Sequence, residues 1–149
     1  MAHAQELIEK LLAKKLKLVT AESCTGGLIG ATLTAIPGAS KVFDHGFITY
    51  SNESKTALLG VPKALIAKHG AVSREVAESM ARGGGGDVAI ATTGIAGPET
   101  SGHKPVGLIY LAVCYQGKTR VVELHLTGRR EEIQAETVAR AFELVLSVL

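Results

Sequence analysis

The chain has 149 residues, of which 46% are hydrophobic, and its formal net charge is +2. This length predicts one domain with a proper core, spanning residues 1–149. No uncharged apolar run reaches the ~18 residues of a membrane span, and no basic N-terminal segment precedes an apolar one, so neither a membrane partner nor a signal peptide is predicted. Basic residues are dispersed and aromatic residues make up only 4%, which argues against a nucleic-acid partner.

The cysteines and histidines predict neither disulfides nor a metal site. Cys24 and Cys114 are far apart in the sequence and form no Cys-x-x-Cys pair, so a reducing, cytoplasmic location is the natural interpretation. The five histidines are scattered, without the spacing of metal ligands.

Helical and strand patterns alternate along the first half of the chain. An apolar stripe of Leu7, Ile8, Leu11 and Leu12 predicts the first helix. Pro37-Gly38 ends the second helix. The predicted elements, in order, are a helix over 5–14, a strand over 16–21, a helix over 25–36 and a strand over 46–50.

The second half predicts three short helices, a buried strand, a hairpin and a closing helix. Ser51 or Asn52 caps a helix to residue 59, Pro62 begins another that stops at Gly70, and Ser73 caps a third to residue 82. The remaining elements are a linker over 83–86, a strand over 88–92, a polar loop to residue 104, a hairpin of strands 108–115 and 119–126, and a helix over 130–148. This order predicts an α/β fold in which a mixed sheet lies between helical layers.

The stretch Ala21-Glu22-Ser23-Cys24-Thr25-Gly26-Gly27 places a serine between a strand and a helix. Free N–H groups at a helix start can stabilise an oxyanion or a phosphate, so Ser23 is a candidate nucleophile. The alternative is an ordinary helix cap. Cys24 could be the nucleophile instead, although a free cysteine is more often a buried apolar residue.

The stretch Tyr50-Ser51-Asn52-Glu53-Ser54-Lys55 is the second candidate segment. Lys55 falls in the first turn of a helix, where the dipole and partial burial would both lower its pKa. The alternative is a solvated lysine that pairs with a carboxylate such as Glu53. Because ligands bind at the carboxyl ends of strands in such folds, Ser23, Tyr50 and Thr93 could converge on one site.

Two further segments could contact a ligand. In Thr93-Gly94-Ile95-Ala96-Gly97-Pro98 the glycines would let the backbone approach a ligand, or they simply form a turn. No Walker A or Gly-x-Gly-x-x-Gly pattern is present, which disfavours nucleoside triphosphates and dinucleotides. Arg130, at the start of the last helix, could bind a phosphate, or it could lie solvated beside Glu131 and Glu132.

Together these three segments resemble the CinA (competence/damage-inducible protein) C-terminal domain family. The match continues through Pro37-Gly38-Ala39-Ser40, His69-Gly70-Ala71-Val72-Ser73 and Lys104-Pro105-Val106-Gly107 and covers essentially the whole chain. The resemblance implies a three-layer α/β/α fold and a nicotinamide-nucleotide amidase. Such an enzyme hydrolyses nicotinamide mononucleotide to nicotinate mononucleotide and ammonia in pyridine-nucleotide recycling, with no metal or organic cofactor.

Carried over by residue, the resemblance implies a Ser23 nucleophile, a Lys55 base and an assisting Tyr50. Backbone N–H groups near Thr25-Gly26 or Gly94 would hold the oxyanion. The expected substrate-binding residues are Thr25, Gly26, Gly27, Asn52, Thr93, Gly94, Gly97 and Arg130. The chain departs from the family pattern where Arg129 replaces an acidic residue, where Gln134 replaces a second arginine, and in the glycine run 83–86.

Two function classes remain open at this point. One is the amidase, whose partner is a small-molecule nucleotide substrate. The other is a non-catalytic nucleotide-binding or regulatory module with the same fold, since fold alone does not fix function. The sequence also leaves open whether the chain forms a homo-oligomer.

Overall fold

The structure is a computed structural model that describes residues 2–149, so Met1 of the predicted domain lies outside it. No helix within this range is long and apolar enough to cross a membrane. The helices are α1 (Ala2–Lys14), α2 (Leu28–Thr34), α3 (Asn52–Leu59), α4 (Lys63–His69), α5 (Arg74–Gly84) and α6 (Arg130–Val148). The strands are β1 (Leu18–Glu22), β2 (Phe43–Ile48), β3 (Val88–Gly94), β4 (Leu108–Tyr115) and β5 (Lys118–His125).

The five strands form one mixed sheet in the order β2-β1-β3-β4-β5. β1 pairs in parallel with β2 and β3, and β4 pairs antiparallel with β3 and β5. Gln116 and Gly117 join β4 to β5, both with positive φ, as a two-residue hairpin turn requires. The predicted α/β class with a mixed sheet is confirmed. Because β2, β1 and β3 run in parallel, their carboxyl ends meet at one edge of the sheet.

Two apolar clusters, one on each face of the sheet, make up most of the core. Alternate residues of β3 and β4 point to opposite faces, as the two-residue period of a strand dictates. The cluster under α1, α2 and α6 includes Leu7, Leu33, Phe142, Ile90 and Val113. The cluster under α3, α4 and α5 includes Leu59, Met80, Ala91 and Ala112. The helical layers on both faces give the three-layer α/β/α arrangement.

Several element boundaries differ from the predicted ones. α2 begins at Leu28 rather than at residue 25, because Gly26 and Gly27 adopt left-handed φ values of 58° and 101° that a right-handed helix does not accept. β2 covers Phe43–Ile48 instead of 46–50, and a short 3₁₀ turn over Ala39–Lys41 was not predicted. Ser51 and Ser73 cap α3 and α5 as predicted.

The predicted linker over 83–86 is wrong in its first half. Gly83 and Gly84 are the last residues of α5, and Gly85, Gly86 and Asp87 connect the helix to β3. A Cβ atom on Gly83 would lie 1.9 Å from the carbonyl oxygen of Leu59 at the end of α3. The first glycines of the run therefore let α5 pack closely against α3.

We predict that Gly83→Ala destabilises the protein, although alanine is by itself the better helix former by about 1 kcal/mol. The added methyl group meets fixed backbone, and overpacking of this kind costs about 1–3 kcal/mol. The matched control is Gly84→Ala, whose Cβ would meet the Ala89 methyl group at 3.2 Å. Urea unfolding should show a larger loss for Gly83→Ala than for Gly84→Ala, and the reverse order would contradict the role of the Leu59 contact.

Candidate active site

A cavity of about 560 Å³ lies at the carboxyl ends of the parallel strands. Its wall comes from the turn after β1, from the start of α3, from the loop after β3, from the connection between α4 and α5, and from the first residue of α6. The candidate residues that line it are Ser23, Cys24, Tyr50, Asn52, Lys55, Thr93, Gly94, Gly97 and Arg130. The structure thus brings together residues from all of the candidate segments. No group of three His, Cys, Asp or Glu side chains within residues 2–149 could hold a metal ion.

The buried amine of Lys55 contacts Ser23 in the wall of this cavity. The Lys55 Nζ atom lies 2.9 Å from the Ser23 Oγ atom. It also donates to the backbone carbonyl oxygens of Thr49, at 2.8 Å, and Tyr50, at 3.3 Å. Lys55 is only 1% exposed, and within the described residues Nζ pairs with no carboxylate. The alternative of a solvated lysine paired with Glu53 is therefore not observed.

Burial lowers the pKa of Lys55 below its ordinary value of 10.5, and the nearby Cys24 opposes this shift only in part. A neutral amine has two N–H groups and one lone pair. The carbonyl oxygens of Thr49 and Tyr50 can only accept, so they take the two N–H groups. The lone pair then faces the Ser23 hydroxyl, which is the arrangement that a general base needs.

Cys24 is poorly suited to act as a nucleophile in place of Ser23. Its side chain is buried, and this burial raises the pKa of the Cys24 thiol to about 12. Because the thiolate is the reactive form, a thiol with this pKa is inert near neutral pH. The Cys24 carbonyl oxygen accepts a hydrogen bond of 3.0 Å from Gln134 Nε2, so Gln134, which departs from the family pattern, contacts the turn after β1.

The side chain of Glu22 caps the start of α2. The backbone N–H groups of Ile29 and Gly30 donate to the Glu22 carboxylate at 2.9 and 3.1 Å, so Glu22 occupies the helix N-terminus. Ser23 is not the helix cap, because Gly27 holds that position. The Ile29 and Gly30 N–H groups are therefore already bonded to Glu22, and oxyanion binding near Thr25-Gly26 or Gly94 stays a prediction.

Three predicted substrate-binding residues in the same turn also lie outside the cavity wall. They are Thr25, Gly26 and Gly27. The Thr25 hydroxyl is buried and donates to Glu22 Oε1 at 2.7 Å, and the Gly26 N–H donates to the Ser23 carbonyl oxygen. Substrate binding by these three residues stays a prediction.

Arg130 bridges two sides of the cavity mouth. Its Nη1 atom donates to the Gly97 carbonyl oxygen at 2.5 Å, and its Nη2 atom donates to the Tyr50 hydroxyl at 2.9 Å. The Tyr50 side chain is 62% exposed and contacts Arg130 rather than Ser23 or Lys55. Among the described residues, Tyr50 contacts Lys55 through its backbone carbonyl oxygen, and its hydroxyl bonds to Arg130. Assistance by the Tyr50 hydroxyl stays a prediction.

Gly94, the last residue of β3, lines the cavity and is also required to be a glycine by packing. A Cβ atom on Gly94 would lie 2.3 Å from Ile109 Cδ1 and 2.8 Å from the Leu108 carbonyl oxygen. The Thr93 hydroxyl donates to the Ala71 carbonyl oxygen at 2.8 Å. Both residues line the cavity, and the close approach of β4 explains why Gly94 is a glycine.

Sequence reasoning missed Lys104, which holds the cavity loop in place. Its Nζ atom donates to the carbonyl oxygens of His69, at 2.7 Å, and Val72. These bonds fasten the end of the loop after β3 to the connection between α4 and α5, and both segments line the cavity. The stretch from Lys104 to Gly107 was part of the family resemblance, but nothing in its pattern indicated this contact.

Comparison with known proteins gives consistent matches. The sequence model of the CinA C-terminal domain matches residues 1–149. The structure is similar to competence/damage inducible protein CihA from Agrobacterium tumefaciens, with a TM-score of 0.95 and 41% identity over 98% of this chain and 93% of that chain. It is also similar to a CinA superfamily protein from Escherichia coli, with a TM-score of 0.96 and 34% identity over 99% and 88% of the two chains.

Relatives known from sequence are longer. A CinA-like protein of Geobacter sp. strain M21 is 48% identical over 139 residues, which is 90% of this chain and 34% of that protein. The chain spans about a third of the length of the curated relatives it matches.

The lowered pKa of Lys55 predicts a specific pH dependence of stability. Between the folded and the unfolded pKa, only the unfolded chain binds the proton, so the free energy of unfolding falls as pH drops from about 10.5 toward the folded pKa. Below the folded pKa this contribution is constant. Lys55→Met removes the amine and should remove this part of the pH dependence, while making the protein at least as stable as the parent at neutral pH.

Urea unfolding of the parent and Lys55→Met from pH 6 to pH 10.5 measures this difference. Lys68→Met, at an exposed position in α4, is the control and should follow the parent. If the parent and Lys55→Met have parallel stability curves, the Lys55 amine is not desolvated in the way that its burial indicates.

Proposed function

The chain belongs to the CinA C-terminal domain family, and from this premise we propose that it is a nicotinamide-nucleotide amidase. It hydrolyses the carboxamide of nicotinamide mononucleotide and releases nicotinate mononucleotide and ammonia. The observation that carries the proposal is the 2.9 Å contact between the buried Lys55 amine and the Ser23 hydroxyl in the cavity wall. A regulatory module that only binds nucleotides has no need for a desolvated amine beside a hydroxyl.

The first half of the reaction forms an ester on Ser23. The Ser23 Oγ–H proton moves to the lone pair of Lys55 Nζ as Oγ attacks the carboxamide carbon. The tetrahedral intermediate collapses with cleavage of the C–N bond, and the Lys55 ammonium returns the proton to the departing nitrogen. Ammonia leaves, and the nicotinoyl group remains as an ester of Ser23.

The second half uses the same base on water. Lys55 takes a proton from a water molecule that attacks the ester carbon, and the proton returns to Ser23 Oγ as the ester bond breaks. The product is nicotinate mononucleotide, and both side chains regain their starting protonation states. Lys55 needs no metal or organic cofactor for these steps, because one amine accepts and then donates each proton.

The oxyanion donor is best sought at Cys24. The Ser23 N–H is already bonded to the Thr92 carbonyl oxygen at 3.0 Å, and the Ile95 N–H to the Leu108 carbonyl oxygen at 2.9 Å. Within the described residues, the Cys24 N–H forms no hydrogen bond with another group, and Cys24 lines the cavity. The residue after a nucleophile commonly supplies this N–H at a strand-to-helix turn.

The charges of the cavity wall also favour nicotinamide mononucleotide as substrate. This nucleotide carries an anionic phosphate at one end and a cationic pyridinium ring at the other. Arg130, at the mouth, is the cation available for the phosphate. Glu99, which is exposed, is the acidic residue among those that line the cavity and suits the pyridinium ring.

We predict that Ser23→Ala abolishes ammonia release from nicotinamide mononucleotide while changing stability by no more than about 1–2 kcal/mol. Cys24→Ala is the matched control at the next position and should retain most of the activity, because the buried thiol is inert. The measurement is steady-state ammonia production by the purified variants. Loss of turnover in Cys24→Ala alone would exchange the two roles, and tight nucleotide binding by a parent without turnover would favour the non-catalytic module.

We predict that Arg130→Ala raises KM for nicotinamide mononucleotide about tenfold to a hundredfold, with a smaller effect on kcat. This factor corresponds to the loss of a charge-assisted hydrogen bond to the phosphate, worth roughly 1.5–3 kcal/mol. The neighbouring Arg129 pairs with Glu131 and Glu132 on the surface, so Arg129→Ala should leave KM within about twofold of the parent.

Free nicotinamide tests whether Arg130 acts through the phosphate. It lacks the phosphate, so it should be a poor substrate for the parent and no poorer for Arg130→Ala. Equal KM values for the mononucleotide in the parent and Arg130→Ala would assign phosphate binding to another part of the wall.

A further inference from the structure

Glu22 is a buried carboxylate that no mechanism step uses. It is the last residue of β1 and is 1% exposed. Its carboxylate accepts three hydrogen bonds, from Thr25 Oγ1 at 2.7 Å and from the N–H groups of Ile29 and Gly30. Gly27, at the cap position of α2, has no side chain to cap the helix. Glu22 therefore fixes both the turn that follows it and the start of α2.

The hydrogen bonds beside Glu22 can run in only one direction. The Thr25 hydroxyl has a single hydrogen, which it donates to Glu22, so the Thr92 hydroxyl at 2.9 Å must donate to Thr25. The Ser23 N–H forms a bifurcated hydrogen bond with Thr92. It donates to the Thr92 carbonyl oxygen at 3.0 Å and to Thr92 Oγ1 at 3.4 Å. All four residues are buried. The amide of Ser23 is thus connected to the Glu22 carboxylate through two oriented hydroxyl groups.

The backbone of Glu22 also helps to hold Lys55, which contacts Ser23. Its carbonyl oxygen accepts the Thr49 N–H at 2.8 Å. The Thr49 carbonyl oxygen accepts from Lys55 Nζ at the same distance. Ser23 and Lys55 therefore depend on one residue for their relative position, the first through its side chain and the second through its main chain.

We propose that Glu22 is a positioning residue, which acts through Thr25 and Thr92 to hold Ser23 Oγ in reach of the Lys55 lone pair. This role rests on the proposed function. A displacement of the nucleophile of about 1 Å can cost as much as a hundredfold in rate, so a device that fixes the turn acts on kcat rather than on substrate affinity.

Thr25→Val tests the connection with a change of nearly constant shape. The substitution leaves the Thr92 hydroxyl without its acceptor and removes one donor from Glu22. We expect kcat for ammonia release to fall about tenfold or more, with KM within about twofold of the parent. Thr25→Ser restores the hydroxyl and should recover kcat to within about threefold.

Thr137→Val is the matched control. Thr137 is equally buried, and its hydroxyl donates to the Ile133 carbonyl oxygen at 2.7 Å within α6. Both variants lose a buried hydroxyl, and Thr25→Val should lose more stability in urea unfolding because it leaves buried partners unpaired, but Thr137→Val should keep kcat within about twofold. Equal kcat values in Thr25→Val and Thr137→Val would overturn the positioning role.

The rate of covalent labelling of Ser23 tests the positioning role without any assumption about the substrate. Phenylmethanesulfonyl fluoride labels activated serines, and intact-mass spectrometry follows the labelling rate of Ser23 without any nucleotide. This rate should fall in Thr25→Val by the same factor as kcat and should not fall in Thr137→Val. A parent that is labelled but releases no ammonia overturns the proposed substrate and leaves the labelling comparison as the test of Glu22. A parent that does neither overturns both proposals.

Glu22→Gln is the direct variant. Its amide places an N–H₂ group against one of the three donors that the carboxylate accepts, so we expect it to lower both stability and the labelling rate. Should Glu22→Gln fold and label Ser23 at the parental rate, the positioning role is overturned. If Glu22→Gln fails to fold, the comparison of Thr25→Val with Thr137→Val decides whether Glu22 has the positioning role.

Discussion

The structure depends on one unfavourable feature, an amine buried without a counter-charge. Desolvation of an ammonium is costly, and nearby carboxylates usually offset it. Among residues 2–149, the partners of Lys55 Nζ are two carbonyl oxygens and a hydroxyl, which suit the neutral amine better than the charged one. The rest of the fold supplies the stability that makes this arrangement tolerable, through two apolar clusters that cover both faces of the sheet.

The parallel part of the sheet explains why these groups meet. β1 supplies Ser23 from its carboxyl end, and the chain after β2 supplies the Thr49 and Tyr50 carbonyl oxygens at the same edge. The antiparallel strands β4 and β5 contribute no residue to the cavity wall, and they widen the surface that α5 and α6 cover. The site is therefore a product of the parallel half, and the hairpin serves the core.

Elements with strong local signals could be predicted from the sequence, and contacts between distant segments could not. The caps at Ser51 and Ser73 and the whole of α6 follow from local pattern. β2 was misplaced because an edge strand with Asp44-His45-Gly46 lacks an apolar alternation. The bond between the Tyr50 hydroxyl and Arg130 could not be predicted, because the two residues are 80 positions apart in the sequence. The role proposed for Glu22 could not be predicted, because it depends on hydrogen bonds that its carboxylate accepts from Ile29 and Gly30 in the folded turn.

The position of β2 at the edge of the sheet affects how the cavity responds to rising temperature. β2 is hydrogen-bonded to a single neighbour, β1, and the carbonyl groups that orient the Lys55 amine directly follow it. A strand held on one side opens locally at a lower free-energy cost than the whole domain unfolds. We therefore expect the Lys55 amine to lose its orientation at a temperature set by the edge of the sheet, below the temperature at which the core melts.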